Sequence, residues 1–198
     1  SLDAEDFVRK IKDKTRAQRL EDFDVELDIE DFKMFDRVTD VYENGVIKTI
    51  YANTKPKYLL NTWIYHLIVC VVLEQKRSVL SLLICKDAAW EFKSVSSALD
   101  ILNSLLDIYW KGISEPLHFF PVSSFEYVWA IILKNRVQPE ALKAAQKKWI
   151  GSDFSHGESK DPYFERCFGR YDPLDKDFEK ISMEIFSPML NHCREIIL

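Results

Sequence analysis

The sequence predicts an α/β domain, with a mixed sheet built around one central helix and a mostly helical region after it. Three observations predict it. Two β-like runs, Phe32–Val41 and Val46–Asn53, meet at Asn44-Gly45, a dipeptide that supplies the left-handed turn of a tight hairpin. Leu59 to Leu73 is apolar on nearly every face, relieved by Asn61, Thr62 and His66, as in a helix packed on both sides. From Ser96 onward the composition turns helical.

The elements follow in order. Asp3 to Leu20 has helical composition, with Phe7, Val8 and Ile11 as an apolar stripe. Its Arg9, Lys12, Arg16 and Arg19 recur at three- and four-residue steps, forming a basic face that is either solvated or meets phosphate or an acidic partner. Phe23 to Ile29 alternates apolar and acidic residues, giving a half-buried strand whose acidic outer face meets solvent or a basic partner. After the hairpin, Pro56 opens the central helix, where its missing N–H costs nothing. That helix reads as too short and interrupted to span a bilayer, and His66 within it reads as a hydrogen-bonded core histidine.

Ser78–Cys85 and Trp90–Val95 form two more strands paired through Lys86-Asp87. Helices are expected from about Ser96 to Gly112, Ser123 to Asn135 and Pro139 to Trp149, with a rigid apolar connector, Glu115–Pro121, between the first two. Gly151–Lys160 reads as a mobile polar loop, Asp161-Pro162 starts a short helix through Phe168, and Leu174–Ile197 closes the chain as helix. The organisation is one domain: an N-terminal helix over 3–21, a sheet with its central helix over 22–95, and a mostly helical part over 96–198.

Composition limits the function. The 198 residues suffice for a sizeable core, and 47% apolar content with few prolines and glycines excludes a disordered or fibrous chain. A formal charge of −5 excludes a strongly basic nucleic-acid binder, so any DNA contact rests on a local patch. Cys70, Cys85, Cys167 and Cys193 are scattered with no C-x-x-C pair, so neither a disulfide frame nor a zinc site is expected, and a reducing cytoplasm fits. No apolar N-terminal leader is present; Ser1-Leu2 reads as an expression remnant of a longer natural chain.

No phosphate-cradling G-x-x-x-x-G-K-[ST] run and no G-x-S-x-G elbow exist. The hairpin is the serious chemical candidate. Many metal-dependent nucleases hold one carboxylate on a first strand and an acid-x-lysine on a second, since a strand puts residues two apart on one face. No same-face pair on Val46–Asn53, from Val46/Lys48 to Tyr51/Asn53, contains a carboxylate. Asp36 and Asp40 on the first strand leave one rival open: a working Mg²⁺ site that borrows Glu91 and Lys93 from a later strand. Asp31/Lys33 and Glu74/Lys76 have the spacing but the wrong place. A second rival is an interaction module that never touches DNA.

Leu59–Cys70, the Glu115-Pro-Leu-His-Phe-Phe-Pro121 connector, Trp149-Ile150-Gly151, Asp161–Arg170 and Pro173–His192 together resemble the C-terminal part of the RecC family, the gamma subunit of exodeoxyribonuclease V (RecBCD). The resemblance runs from about Phe23 to His192. It implies a restriction-endonuclease-like, PD-(D/E)XK-type core that has lost its active site, with Ile50 and Ala52 where the acid-x-lysine strand would be and Thr39 at the first-strand aspartate. It further implies no cofactor or metal, partners of the RecB and RecD type, and DNA engaged through the complex. Lys55 and Lys57 match a basic segment the family carries before the helix and are the candidate phosphate contacts.

Overall fold

The apolar–acidic alternation of Phe23–Ile29 does form a strand, but outside the main sheet. The computed structural model describes residues 5, 7, 8, 11, 18–29, 32–43, 45–73, 79–152 and 155–196. In it β1 (Phe23–Ile29) and β2 (Phe32–Val38) make a separate antiparallel ribbon, in register from Phe23↔Val38 to Ile29↔Phe32. The acidic face of β1 finds its cations there: Lys33 lies 3.3 Å from Glu26 and 3.5 Å from Asp28, and Arg37 lies 3.8 Å from Asp24. Exposed pairs of this kind fix register more than they stabilise, at well under about 1 kcal/mol each.

The chain divides into two units, Ser1–Asn103 with His192–Leu198, and Ser104–Asn191. The first is built on a five-stranded sheet, β3 (Val41–Tyr42), β4 (Gly45–Thr49), β5 (Leu80–Ile84), β6 (Ala89–Lys93) and β9 (Cys193–Ile196), neighbours in that order. β4 and β5 are parallel and the other pairs antiparallel, so the sheet is mixed, as expected. The link between the parallel strands is α1 (Pro56–Leu73), which buries Trp63, His66, Leu67, Val69 and Cys70 completely. With 18 residues and a mean hydropathy of 1.3, α1 is long and apolar enough to cross a membrane by composition alone, contrary to the sequence reading. Its seat against the sheet, with those side chains buried, makes it a core helix.

Several boundaries differ from expectation. The first hairpin strand breaks after Val38, because Asp40 adopts a left-handed conformation (φ 58°), which aspartate tolerates better than most residues. Only Val41 and Tyr42 then pair with β4, as Val41↔Val46 and Tyr42↔Gly45; Asn44 lies outside the described residues. β4 ends at Thr49, so Ile50 and Ala52 follow the strand. The Ile50 N–H donates to the Ile84 carbonyl at 2.9 Å, and the Ala52 N–H turns back to the Ile50 carbonyl at 2.7 Å.

Near the N-terminus, Glu5, Phe7, Val8 and Ile11 are helical, while Arg9, Lys12 and Arg16 lie outside the described residues. The helix does not reach residue 21. Arg19 bridges Tyr42, and the Leu20 N–H donates to the Val41 carbonyl at 2.8 Å. At the other end the expected helix to Ile197 stops at His192, and Cys193–Ile196 joins the sheet beside β6. Pro188, the sole breaker in that run, sits inside the helix, so nothing in the sequence marked the change.

The second unit takes up the rest of α2 (Ala98–Ser114), then α3 (Pro121–Ile132), α4 (Gln138–Ile150), α5 (Pro162–Phe168) and α6 (Lys176–His192) up to Asn191. Phe120, the last residue before α3, is fully buried, with Trp149, Phe164, Phe168 and Phe178 around it at ring distances of 4.4 to 6.1 Å. This aromatic hub explains the rigid connector. The segment read as a mobile loop contains a short ribbon, β7 (Gly151–Ser152) with β8 (Ser155–His156), and a 3-10 turn, Glu158–Lys160. Glu158 anchors it: its carboxylate accepts the Val122 N–H at 2.9 Å, and the Ser123 N–H and hydroxyl at 2.7 Å each. Asp161 caps α5 through the Tyr163 and Phe164 N–H groups, as its place before Pro162 suggested.

Candidate functional site

Lys48 is the one charged residue between Val46 and Asn53, and it is the centre of the polar cluster in the hairpin. Strand pairing decides what it faces. Residues opposite one another in a sheet share a face, and neighbours along a strand alternate. Lys48↔Leu83↔Trp90 therefore lie on one face, with Val46, Ser81 and Phe92; Ile47↔Leu82↔Glu91↔Arg194 lie on the other. The α1 helix covers the first face. Phe7 and Ile11 pack against Ile47, Leu82, Ile84 and Ala89 on the second.

Around Lys48 the partners come from the break that Asp40 makes. The ammonium lies 3.1 Å from Thr39 Oγ1 and 3.4 Å from Asp40 Oδ2, and sits 4.5 Å from the centroid of the Tyr65 ring on α1. The other Asp40 oxygen is 3.7 Å from Arg19. Asp36 is occupied next door. It accepts the Arg37 N–H at 2.7 Å and a hydrogen bond from the Tyr65 hydroxyl, whose pKa is raised first by burial and then by the Asp36 charge. So the structure brings Thr39, Asp40 and Lys48 together, with Asp36 held through Tyr65. It leaves Ile50 and Ala52 beyond the strand end.

Val46, the same-face residue two before Lys48, is fully buried. Beneath it runs a closed polar chain. The Val46 N–H donates to Ser81 Oγ at 3.4 Å, Ser81 lies 2.9 Å from His66 Nδ1, and His66 Nε2 lies 2.8 Å from the Lys93 carbonyl. A carbonyl only accepts, so Nε2 carries the proton and Nδ1 accepts from the serine hydroxyl. Burial lowers the His66 pKa to about 4, with the His192 charge adding to the effect and the Lys93 carbonyl opposing it. His66 is thus the hydrogen-bonded core histidine read from the sequence, and the structure adds that it is neutral.

Glu91 and Lys93 do not join the Lys48 cluster. Glu91 Oε1 is held by Arg194 at 2.7 Å (Nη2) and 2.8 Å (Nε), on the far face of the sheet. Lys55 and Lys57 are exposed at the start of α1; the Lys55 carbonyl accepts the Tyr58 N–H at 2.9 Å, and the Lys57 ammonium lies 5.3 Å from the Tyr58 ring. Next to them Thr54 donates its N–H and hydroxyl to Asp87 at 2.7 and 2.9 Å. Burial pulls the Asp87 pKa up, but these hydrogen bonds prevail and hold it low. Cys70, Cys85 and Cys193 are buried, and burial pushes the Cys193 thiol up to about 12. Among the described residues no group of three or more His, Cys, Asp or Glu could hold a metal ion.

Sequence reasoning passed over Lys48 because it searched for acids two residues from a lysine. The signal that finds it is the opposite one, a single charge in an otherwise apolar strand. Among protein families, the model of the RecC C-terminal domain matches residues 2–132, two thirds of the 198-residue chain, ending at the last residue of α3. No curated protein matches the chain.

Proposed function

We propose, since this chain belongs to the RecC C-terminal-domain family, that it is a catalytically silent, nuclease-like module of a RecBCD-type exodeoxyribonuclease V complex. Its role is to help assemble the complex with RecB- and RecD-type subunits and to guide DNA through it. A cytoplasmic location goes with that role.

The division of charged groups between the two faces of the sheet carries the silent part of this reading. A Mg²⁺ site needs several oxygen ligands converging on one ion. Lys48 has Asp40 beside it, already shared with Arg19, while the residue two before it on the strand is the apolar Val46. Glu91, the acid that the rival site would borrow, is on the opposite face with Arg194. On this reading Val46 and Lys48 are the remnant of the acid-x-lysine pair, four residues earlier than Ile50 and Ala52, and Thr39 keeps the first-strand position beside them.

The test is incubation of the protein with linear duplex DNA and Mg²⁺ or Mn²⁺. No cleavage is expected. Metal-dependent cleavage that disappears in Lys48→Met or Asp40→Asn would overturn the silent reading. Co-purification with RecB- and RecD-type subunits tests the assembly role, and failure to associate with either would remove it.

A further inference from the structure

The second unit contains a basic groove that the Lys48 cluster does not explain. It is open, about 850 Å³ in volume, and is formed where the turn after α3 meets the exposed side of α4. Five cations line it, Lys134, Arg136, Lys143, Lys147 and Lys148, against two acids, Glu126 and Glu140. Lys134 is already paired with Glu126 at 3.5 Å. No carboxylate among the described residues forms an ion pair with Arg136, Lys143, Lys147 or Lys148, and all four are exposed. Four uncompensated cations facing one acid are conspicuous in a chain whose net charge is −5.

We propose that this groove binds the phosphate backbone of duplex DNA. Lys143 and Lys147 are one helical turn apart on the same face of α4, so their ammonium groups form a row rather than a point. Lys148 and Arg136 widen it. Like charges so arranged repel one another, and a polyanion relieves that repulsion while releasing its own counterions. The lining has no aromatic ring, and Ala144 is its one apolar side chain. Single strands are gripped by stacking bases on aromatic rings, so this groove suits a backbone whose bases are already paired. It reads no sequence. The inference rests on the DNA-guiding reading for the identity of the polyanion, and it moves the main DNA contact from Lys55 and Lys57 to the second unit.

The experiment is fluorescence anisotropy of a labelled duplex with the full chain, in EDTA, from about 50 to about 200 mM salt. Four phosphate contacts predict a slope of log affinity against log salt of about −3.6. The triple variant Lys143→Ala, Lys147→Ala, Lys148→Ala should flatten the slope by about 2.7 and weaken binding at low salt at least about tenfold. A circular-dichroism melt shows that the variant is folded, and Lys55→Ala with Lys57→Ala should shift the slope less. No binding at low salt, or an unchanged slope in the triple variant, would overturn the proposal. So would a variant that binds DNA normally but no longer captures a partner subunit, which would give the groove to an acidic protein surface. Because EDTA removes metal, a failure here is separate from a failure of the silent-core reading, which shows as cleavage when Mg²⁺ is present.

Discussion

Lys48 and Glu91 lie on opposite faces of one sheet, two strands apart. The side chains that could have made a nuclease site are thereby divided. Lys48 is held by Thr39 and Asp40 on the α1 side, and Glu91 by Arg194 on the side packed by Phe7 and Ile11.

Glu91→Ala should act on the edge of the sheet and not on any chemistry. Glu91 is mostly buried, its side chain 14% exposed, and its partner Arg194 belongs to β9, held to the sheet by four residue pairs. Loss of a partly exposed pair is expected to cost about 1 kcal/mol. Urea unfolding reads this as a lower midpoint with an unchanged slope, and DNA binding should stay as it was.

Gly45→Ala should be far more damaging. Gly45 has φ 139°, and a Cβ there would collide with the Leu80 carbonyl of the neighbouring strand. The close approach of β4 to β5 needs the missing side chain. Backbone strain and the clash together should cost about 3 kcal/mol or more. An unfolding midpoint within error of the parent protein would show that the strands can separate at no cost.

How far the sequence disclosed this arrangement varies by element. The mixed sheet, the central helix and the core role of His66 were legible because local pattern and tertiary role agree there. The break at Asp40 was not, since Phe32–Val41 is continuous β-like sequence and the left-handed turn is set by contacts of Asp40 with Lys48 and Arg19. The final strand was hidden because Cys193–Ile196 is short and follows a helix without a stop signal. The Lys48 site was half legible: Asp36, Thr39 and Asp40 were singled out, but Lys48 and Tyr65 were not, because the faces they share depend on pairing partners that no single strand reveals.

Stability should fall as the solution is acidified, through His66. Its folded pKa of about 4 lies below the ordinary 6.5, so the unfolded chain takes up the proton first. The stabilising contribution is complete above pH 6.5, falls as the pH drops toward 4, and is fully lost below that. The span corresponds to about 3 kcal/mol. Urea unfolding at a series of pH values should show this loss, and His66→Gln should flatten it. An equal slope in the variant would assign the acid sensitivity to other groups.

Glu158 should matter more than its place in a polar, glycine-bearing segment suggests. Its carboxylate satisfies the Val122 and Ser123 N–H groups at the start of α3 and the Ser123 hydroxyl as well. Phe120 precedes that helix with no side-chain cap of its own, and Pro121 has no N–H to satisfy. Glu158 is therefore a cap supplied from 35 or 36 residues away, and its negative charge lies at the positive end of the helix dipole. Glu158→Ala removes the acceptor from the buried Ser123 and the exposed Val122, at a cost of about 1 to 2 kcal/mol. Glu158→Gln keeps one carbonyl acceptor and loses the charge, so about half of that cost should return. Hydrogen exchange distinguishes the two: the Val122 and Ser123 amides should exchange fastest in the alanine variant and at an intermediate rate in the glutamine variant. Equal protection in all three proteins would mean that the helix start is held by packing around Phe120 and that the carboxylate adds nothing.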